Sequence, residues 1–184
     1  RRSGRANHSD TTITALATNT PNRRQSSPHG VTAAHWIRDL WTSYAAGRPG
    51  VTVELVAHAS TSQPSVRLTI PGSTLASEYV LLGGHEDSTA SGCSSNPNCV
   101  APGADDNASG IATVSEVARV VLAHGFEPQR TVQPIAFAAE EVGLEGSDDI
   151  AATYLAAGTD VVAVLQQDMT GYNGSVEDMA LISD

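Results

Sequence analysis

An α/β fold, with a mostly parallel central sheet, antiparallel edge strands and helices on both faces, is predicted by three features of this 184-residue chain. The continuous apolar run Tyr79–Leu82 has the composition of a strand covered on both sides, and Val132–Ala139 and Val161–Leu165 are expected as further buried strands. Helical patterns separate these runs, which is the spacing of crossover connections on a parallel sheet. Two earlier runs, Val51–Ala57 and Val66–Ile70, alternate apolar with polar residues and predict a partly exposed antiparallel pair.

In chain order, residues 1–30 are rich in Ser, Thr, Asn, Pro and Arg and predict an arm with one short helix near Ile13–Ala17. Residues 31–184 form the expected domain. Ile37, Leu40, Trp41 and Tyr44 fall on one helical face that Gly47–Gly50 must end. Asp105 or Asp106 is placed to cap a helix with an apolar stripe of Ile111, Val114, Val117, Val121 and Leu122, ending at Gly125. A helix is expected over Ile150–Ala157 and a last strand over Met179–Ile182.

Composition narrows the function. The net charge is −10, and all ten basic residues are Arg. From Glu78 onward 17 acidic residues face two Arg, a surface that repels nucleic acid and anionic membrane and attracts metal ions and protonated amines. No apolar run has the length of a membrane span. The abrupt basic start, Arg1-Arg2-Ser3-Gly4-Arg5, suggests a processed form. Cys93 and Cys99 flank a turn-rich insert, and a disulfide is expected there, two free thiols being the alternative. Closing so short a loop contributes roughly 2 kcal/mol and implies an oxidising compartment, so secretion is the expected location.

The chemistry lies in residues just past strands or at the mouth of a helix: His85, Asp105, the pair Glu140-Glu141, and Asp168. Ligands of open sheets bind outside the carboxyl ends of the strands, where these segments converge. Singly each has an ordinary reading as a loop residue or cap. Together, several carboxylates at one sheet edge repel one another unless a cation neutralises them, and a His among oxygen donors suits Zn2+ or a similar ion. Asp87, two residues past His85, is placed to accept a hydrogen bond from the ring nitrogen not facing metal. His8, His29, His35 and His58 are read as surface or core residues, and His124 as a helix-end residue.

The segments Gly83-Gly84-His85-Glu86-Asp87-Ser88, Ala101 to Gly110, Ala138 to Leu144 and Gln167-Asp168-Met169-Thr170 resemble the metal-binding segments of secreted bacterial leucyl aminopeptidases, which are two-zinc exopeptidases. The likeness extends to Asn22–Ile37 and Gln166–Asp184. It implies a zinc exopeptidase-like catalytic domain in which His85, Asp105 and Asp168 hold one Zn2+, and Asp105 bridges to a second held also by Glu141. It further implies Glu140 as general base to a bridging hydroxide, Met169 and Ile182 lining a pocket for an apolar side chain, and a cis Asp105–Asp106 peptide bond. The expected activity is removal of amino-terminal, Leu-type residues from peptides.

Two departures accompany the resemblance. Glu86 replaces an apolar residue, and the later His that completes the family's second metal site has no counterpart before Asp184, so the domain is expected to be incomplete at its carboxyl end, with a second chain as one possible supplier. The same scaffold serves carboxypeptidases, amidohydrolases and non-catalytic binding domains, which stand as alternatives.

Overall fold

The computed structural model describes residues 7–93, 96 and 99–172. Helix α1, His8–Asn19, is longer at both ends than Ile13–Ala17, because the Asn7 side chain accepts from Asp10 N at 2.8 Å and caps it. Helix α2, Pro28–Ala45, begins inside the expected arm: Ser27 Oγ accepts from Gly30 N at 3.0 Å, and Pro28 follows at a position where its missing N–H costs nothing. Ile37 and Trp41 are buried as the periodicity requires, and the buried face continues through Ala33 and Ala34. Trp41 donates its indole N–H to Ser115 Oγ at 2.9 Å, so the ring is buried without an unmet polar atom.

Five strands follow: β1 Thr52–Val56, β2 Ser65–Thr69, β3 Leu75–His85, β4 Arg130–Phe137 and β5 Asp160–Gln166, in the spatial order β1-β2-β4-β3-β5. β1 and β2 pair antiparallel, as do β2 and β4, whereas β3 is parallel to both β4 and β5. This is the expected α/β sheet with an antiparallel edge. Helix α3, Ala108–Ala123, joins β3 to β4; helix α4, Glu145–Ala157, joins β4 to β5. The two connections run in opposite directions across the sheet, so crossovers of one hand place their helices on opposite faces. Leu16, Ile37, Trp41, Val66, Leu68, Ile111 and Val114 make the core on the α1–α2–α3 face; Leu81, Ile135, Phe137, Ile150 and Tyr154 make the core beneath α4.

Four expectations are corrected. The N-cap of α3 is Asn107, not Asp105 or Asp106: its side chain accepts from Gly110 N at 2.9 Å. The inward face of α3 runs through Ile111, Val114, Ala118 and Leu122, while Val117 is 42% exposed, because Ala118 rather than Val117 continues the spacing of Ile111 and Val114. Strand β5 is open rather than buried: it pairs with β3 alone among the described strands, and Val162, Val164 and Leu165 are 46%, 58% and 51% exposed. Helix α4 starts earlier than Ile150, after a left-handed Leu144 that supplies no side-chain cap, with Glu145 and Asp148 in its first turn as the only start signal in sequence. The expected strand at Met179–Ile182 lies outside the described residues. Among the described residues no helix is long and apolar enough to cross a membrane.

Candidate metal centre

The connections leaving β3 and β4 depart to opposite faces, so a crevice opens between the carboxyl ends of these two strands. His85 ends β3 opposite Phe137 of β4. Gly84 lets the start of α3 and the loop after β5 approach: a Cβ there would lie 3.3 Å from both Gln167 O and the carbonyl carbon of Gly110. Three further segments thereby meet His85, which is 1% exposed. Its Nε2 lies 3.0 Å from Asp106 Oδ1, 3.7 Å from Asp168 Oδ1 and 3.9 Å from Glu140 Oε2. Donor atoms of His85, Asp106 and Asp168 lie within 4.8 Å of one another.

Asp106 stands where the sequence suggested Asp105. The Asp105 carboxylate turns away and accepts from Gly171 N at 2.9 Å, and its backbone carbonyl accepts from Ser109 Oγ at 2.6 Å. Asn107, having taken over the capping of α3, leaves the Asp106 carboxylate free to face His85. The cis peptide bond is correspondingly Asp106–Asn107 rather than Asp105–Asp106. Asn107 also donates to Gln167 O at 2.9 Å and accepts from Met169 N at 3.3 Å, tying the loop that carries Asp168 to the loop that carries Asp106. The preference of Asn for helix starts was the available signal; the adjacent aspartates masked it.

Asp87 is buried and spans two segments. Its Oδ1 lies 3.3 Å from His85 Nδ1 and accepts from Glu140 N at 3.0 Å, and its Oδ2 accepts from Glu141 N at 3.1 Å. One carboxylate thus orients the imidazole and fixes the 3-10 turn Glu140–Val142. Glu141 is outside the tight His85–Asp106–Asp168 group. Met169 is held at φ 47° and is 41% exposed at the rim, while Ile182 lies outside the described residues. Cys93 and Cys99 are joined as a disulfide with Cα atoms 5.4 Å apart, and Arg24 Nη1 donates to Cys93 O at 2.8 Å.

The electrostatics match a cation. Burial raises the pKa of Glu140, Glu141 and Asp168, and neighbouring carboxylates add to the rise; Glu141, with Asp106 as its strongest charged neighbour, reaches about 7. Burial by itself would lower the pKa of His85, but the hydrogen bond and charge of Asp87 and the charges of Asp168 and Glu140 lift it to about 9. The same acids that favour a proton on His85 form, with the imidazole, a donor set that fits a divalent ion. Beside the cluster a trough of ≈ 680 Å³ runs over the α4 face, lined by Leu81, Phe137, Ile150, Tyr154, Val161 and Val164, with Glu140 and Asp168 also lining it.

A second constellation is structural. His58 lies 2.7 Å from Asp149 Oδ2 through Nδ1 and 2.8 Å from Ser65 Oγ through Nε2, the connectivity of a serine-hydrolase triad. Ser65 is fully buried and its Oγ already accepts from Ala138 N at 3.0 Å, so it steadies the segment leading to Glu140 and is closed to substrate.

The model of peptidase family M28 matches residues 65–183. Among curated relatives, the probable leucine aminopeptidase of Arthroderma benhamiae is 39% identical over 168 residues, 89% of this chain and 44% of that protein. Leucine aminopeptidase 1 of Coccidioides posadasii is 37% identical over 177 residues, 88% and 44% respectively. The crystal structure of LapB from Legionella pneumophila superposes with a TM-score of 0.76 at 33% identity, over 91% of this chain and 45% of that one. The chain thus spans less than half the length of these relatives. They come from fungi as well as Legionella, so they give no support to the narrower expectation of a secreted bacterial subset. A buried histidine facing carboxylates from three other segments, at the switch point of this sheet and within the matched residues, agrees with that match, and the chain belongs to peptidase family M28.

Proposed function

We propose that this chain belongs to the catalytic domain of a zinc-dependent aminopeptidase that removes apolar, Leu-type residues from peptide amino termini. The observation that carries the reading is the approach of Asp106, Asp168 and Glu140 to the buried His85 beside an apolar trough. His85, Asp106 and Asp168 would hold one zinc, and Asp106, the strongest charged neighbour of Glu141, would share a second with Glu141. Bound zinc supplies Lewis-acid polarisation of the scissile carbonyl and acidifies water.

The remaining steps belong to the chain. Glu140, with a raised pKa and its backbone N–H fixed by Asp87, takes a proton from water and returns it to the leaving amine. The acidic rim attracts the protonated amino terminus of a peptide, and the end of the trough beside Glu140 and Asp168 accepts an apolar side chain, while the stretch lined by β5 is left to the covering polypeptide. We assign the covering of β5, and any ligand still needed by a second zinc, to polypeptide equivalent to the part of the relatives that this chain does not match, in the same chain or a second one. The disulfide supports a location outside the reducing cytosol.

The test is turnover of Leu, Arg and Glu anilides by the zinc-loaded protein, including any further segment. The reading expects Leu anilide to be cleaved fastest. Preference for a charged residue refutes it, and zinc binding with no cleavage of any anilide favours a non-catalytic binding domain.

A further inference from the structure

Arg23, in the segment between α1 and α2, is fully buried although it carries no ion pair at hydrogen-bonding distance among the described residues. Its guanidinium is spent on backbone carbonyls. Nε donates to Glu86 O at 2.9 Å, Nη1 to Leu16 O at 3.1 Å and Pro102 O at 2.7 Å, and Nη2 to Gly103 O at 2.8 Å. Glu86 stands between His85 and Asp87, and Pro102-Gly103 leads into Asp106. The backbone repeats the link: Arg23 N donates to Ser88 Oγ at 3.1 Å, and Ser88 Oγ donates to Ala101 O at 2.7 Å. Gly103, at φ 48°, has no room for a side chain, since a Cβ would lie 2.6 Å from Ser88 Cβ and 2.8 Å from Arg23 Nη2.

Among the described residues neither oxygen of the buried Glu86 carboxyl has a hydrogen-bond partner, so the Arg23 guanidinium reaches this segment through the Glu86 backbone carbonyl alone. A planar fork can meet carbonyls from two loops in fixed directions; an ammonium on a flexible stem cannot. We propose that Arg23 is a positioning residue, which sets the spacing between the loop bearing His85 and Asp87 and the loop bearing Asp106 and thereby shapes the metal centre. The inference rests on the reading of that centre as a metal site.

The test is Zn2+ affinity by competition with a chromophoric chelator, together with the visible absorption of the Co2+-loaded protein, in wild type, Arg23→Lys, Arg23→Met and Ser88→Ala. Arg23→Lys keeps the charge and loses the fork, so it separates geometry from charge. Folded Arg23→Lys and Arg23→Met are expected to lose about 10- to 100-fold in Zn2+ affinity and to shift the Co2+ bands, as loss of outer support to ligands does. Ser88→Ala, which cuts only the backbone link, is expected to weaken binding less. Unchanged affinity and an unchanged Co2+ spectrum in Arg23→Lys overturn the proposal. If neither Arg23 variant folds, Ser88→Ala decides: weakened binding with an intact fold supports the proposal and wild-type binding overturns it. Wild-type protein that binds neither metal overturns the metal-centre reading and this inference with it.

Discussion

Removing metal from this protein should make its stability fall as pH rises, and zinc should abolish the fall. In the metal-free state His85 is held protonated by Asp87, Asp168 and Glu140, its pKa lifted from 6.5 to about 9. A group bound more tightly to its proton in the folded state stabilises that state fully below the unfolded pKa, and the contribution disappears as pH passes the folded value. The window is therefore pH 6.5 to 9, and a rise of that size at a residue 1% exposed corresponds to about 3 kcal/mol. Glu141, raised to about 7, works in the same direction between pH 4.5 and 7, where its protonated form is favoured by folding. Partly exposed as it is, it adds a smaller, solvent-screened amount. Urea unfolding followed by the fluorescence of Trp36 and Trp41 at pH 6.5, 7.5 and 9, with chelator and with Zn2+, measures the effect. Zinc at about 100 times its Kd adds about 3 kcal/mol and replaces the proton on His85, so the loaded protein should not show the His85 loss across this range. Stability that is flat or rising from pH 6.5 to 9 in chelator, or an equal slope with zinc, refutes the electrostatic reasoning.

The two adjacent aspartates should separate cleanly. Asp106→Asn should weaken Zn2+ binding at least about tenfold by removing a charged donor, whereas Asp105→Asn, which alters an acceptor for Gly171 N, should leave affinity largely intact, as titration calorimetry would show. Asn107→Ala should destabilise the chain by about 1 kcal/mol through loss of the α3 cap, and should also weaken metal binding because the tie to Gln167 O is lost; chemical unfolding and zinc titration read the two effects. Cys93→Ser should lower stability by roughly 2 kcal/mol without moving the Zn2+ affinity, since neither cysteine belongs to the donor group.

Strands and helices with strong periodicity were legible from composition: the Tyr79–Leu82 run lies in β3, and the alternating runs are the antiparallel pair β1–β2. Convergence at one sheet edge was legible too, because it follows from topology rather than from side-chain detail. Which of two neighbouring aspartates faces His85 was not. That choice depends on the rotation of the chain entering α3, fixed by Asn107 contacting Gly110 and Gln167, a residue 60 positions away. Helix α4 hid its start because Leu144 supplies no cap, and β5 reads as buried in sequence because its composition does not record which neighbours cover it. The anchoring of the site by Arg23 was invisible for a related reason: four carbonyl acceptors leave no pattern in the side chains that surround it.

The central claim is that the acids around His85 share divalent cations. Diffraction from zinc-soaked crystals on both sides of the zinc absorption edge tests it directly. An anomalous peak bonded to His85 Nε2 and to oxygens of Asp106 and Asp168, at about 2.0–2.2 Å, is expected. A fully soaked crystal with no peak there, or with zinc held only elsewhere on the acidic surface, contradicts it.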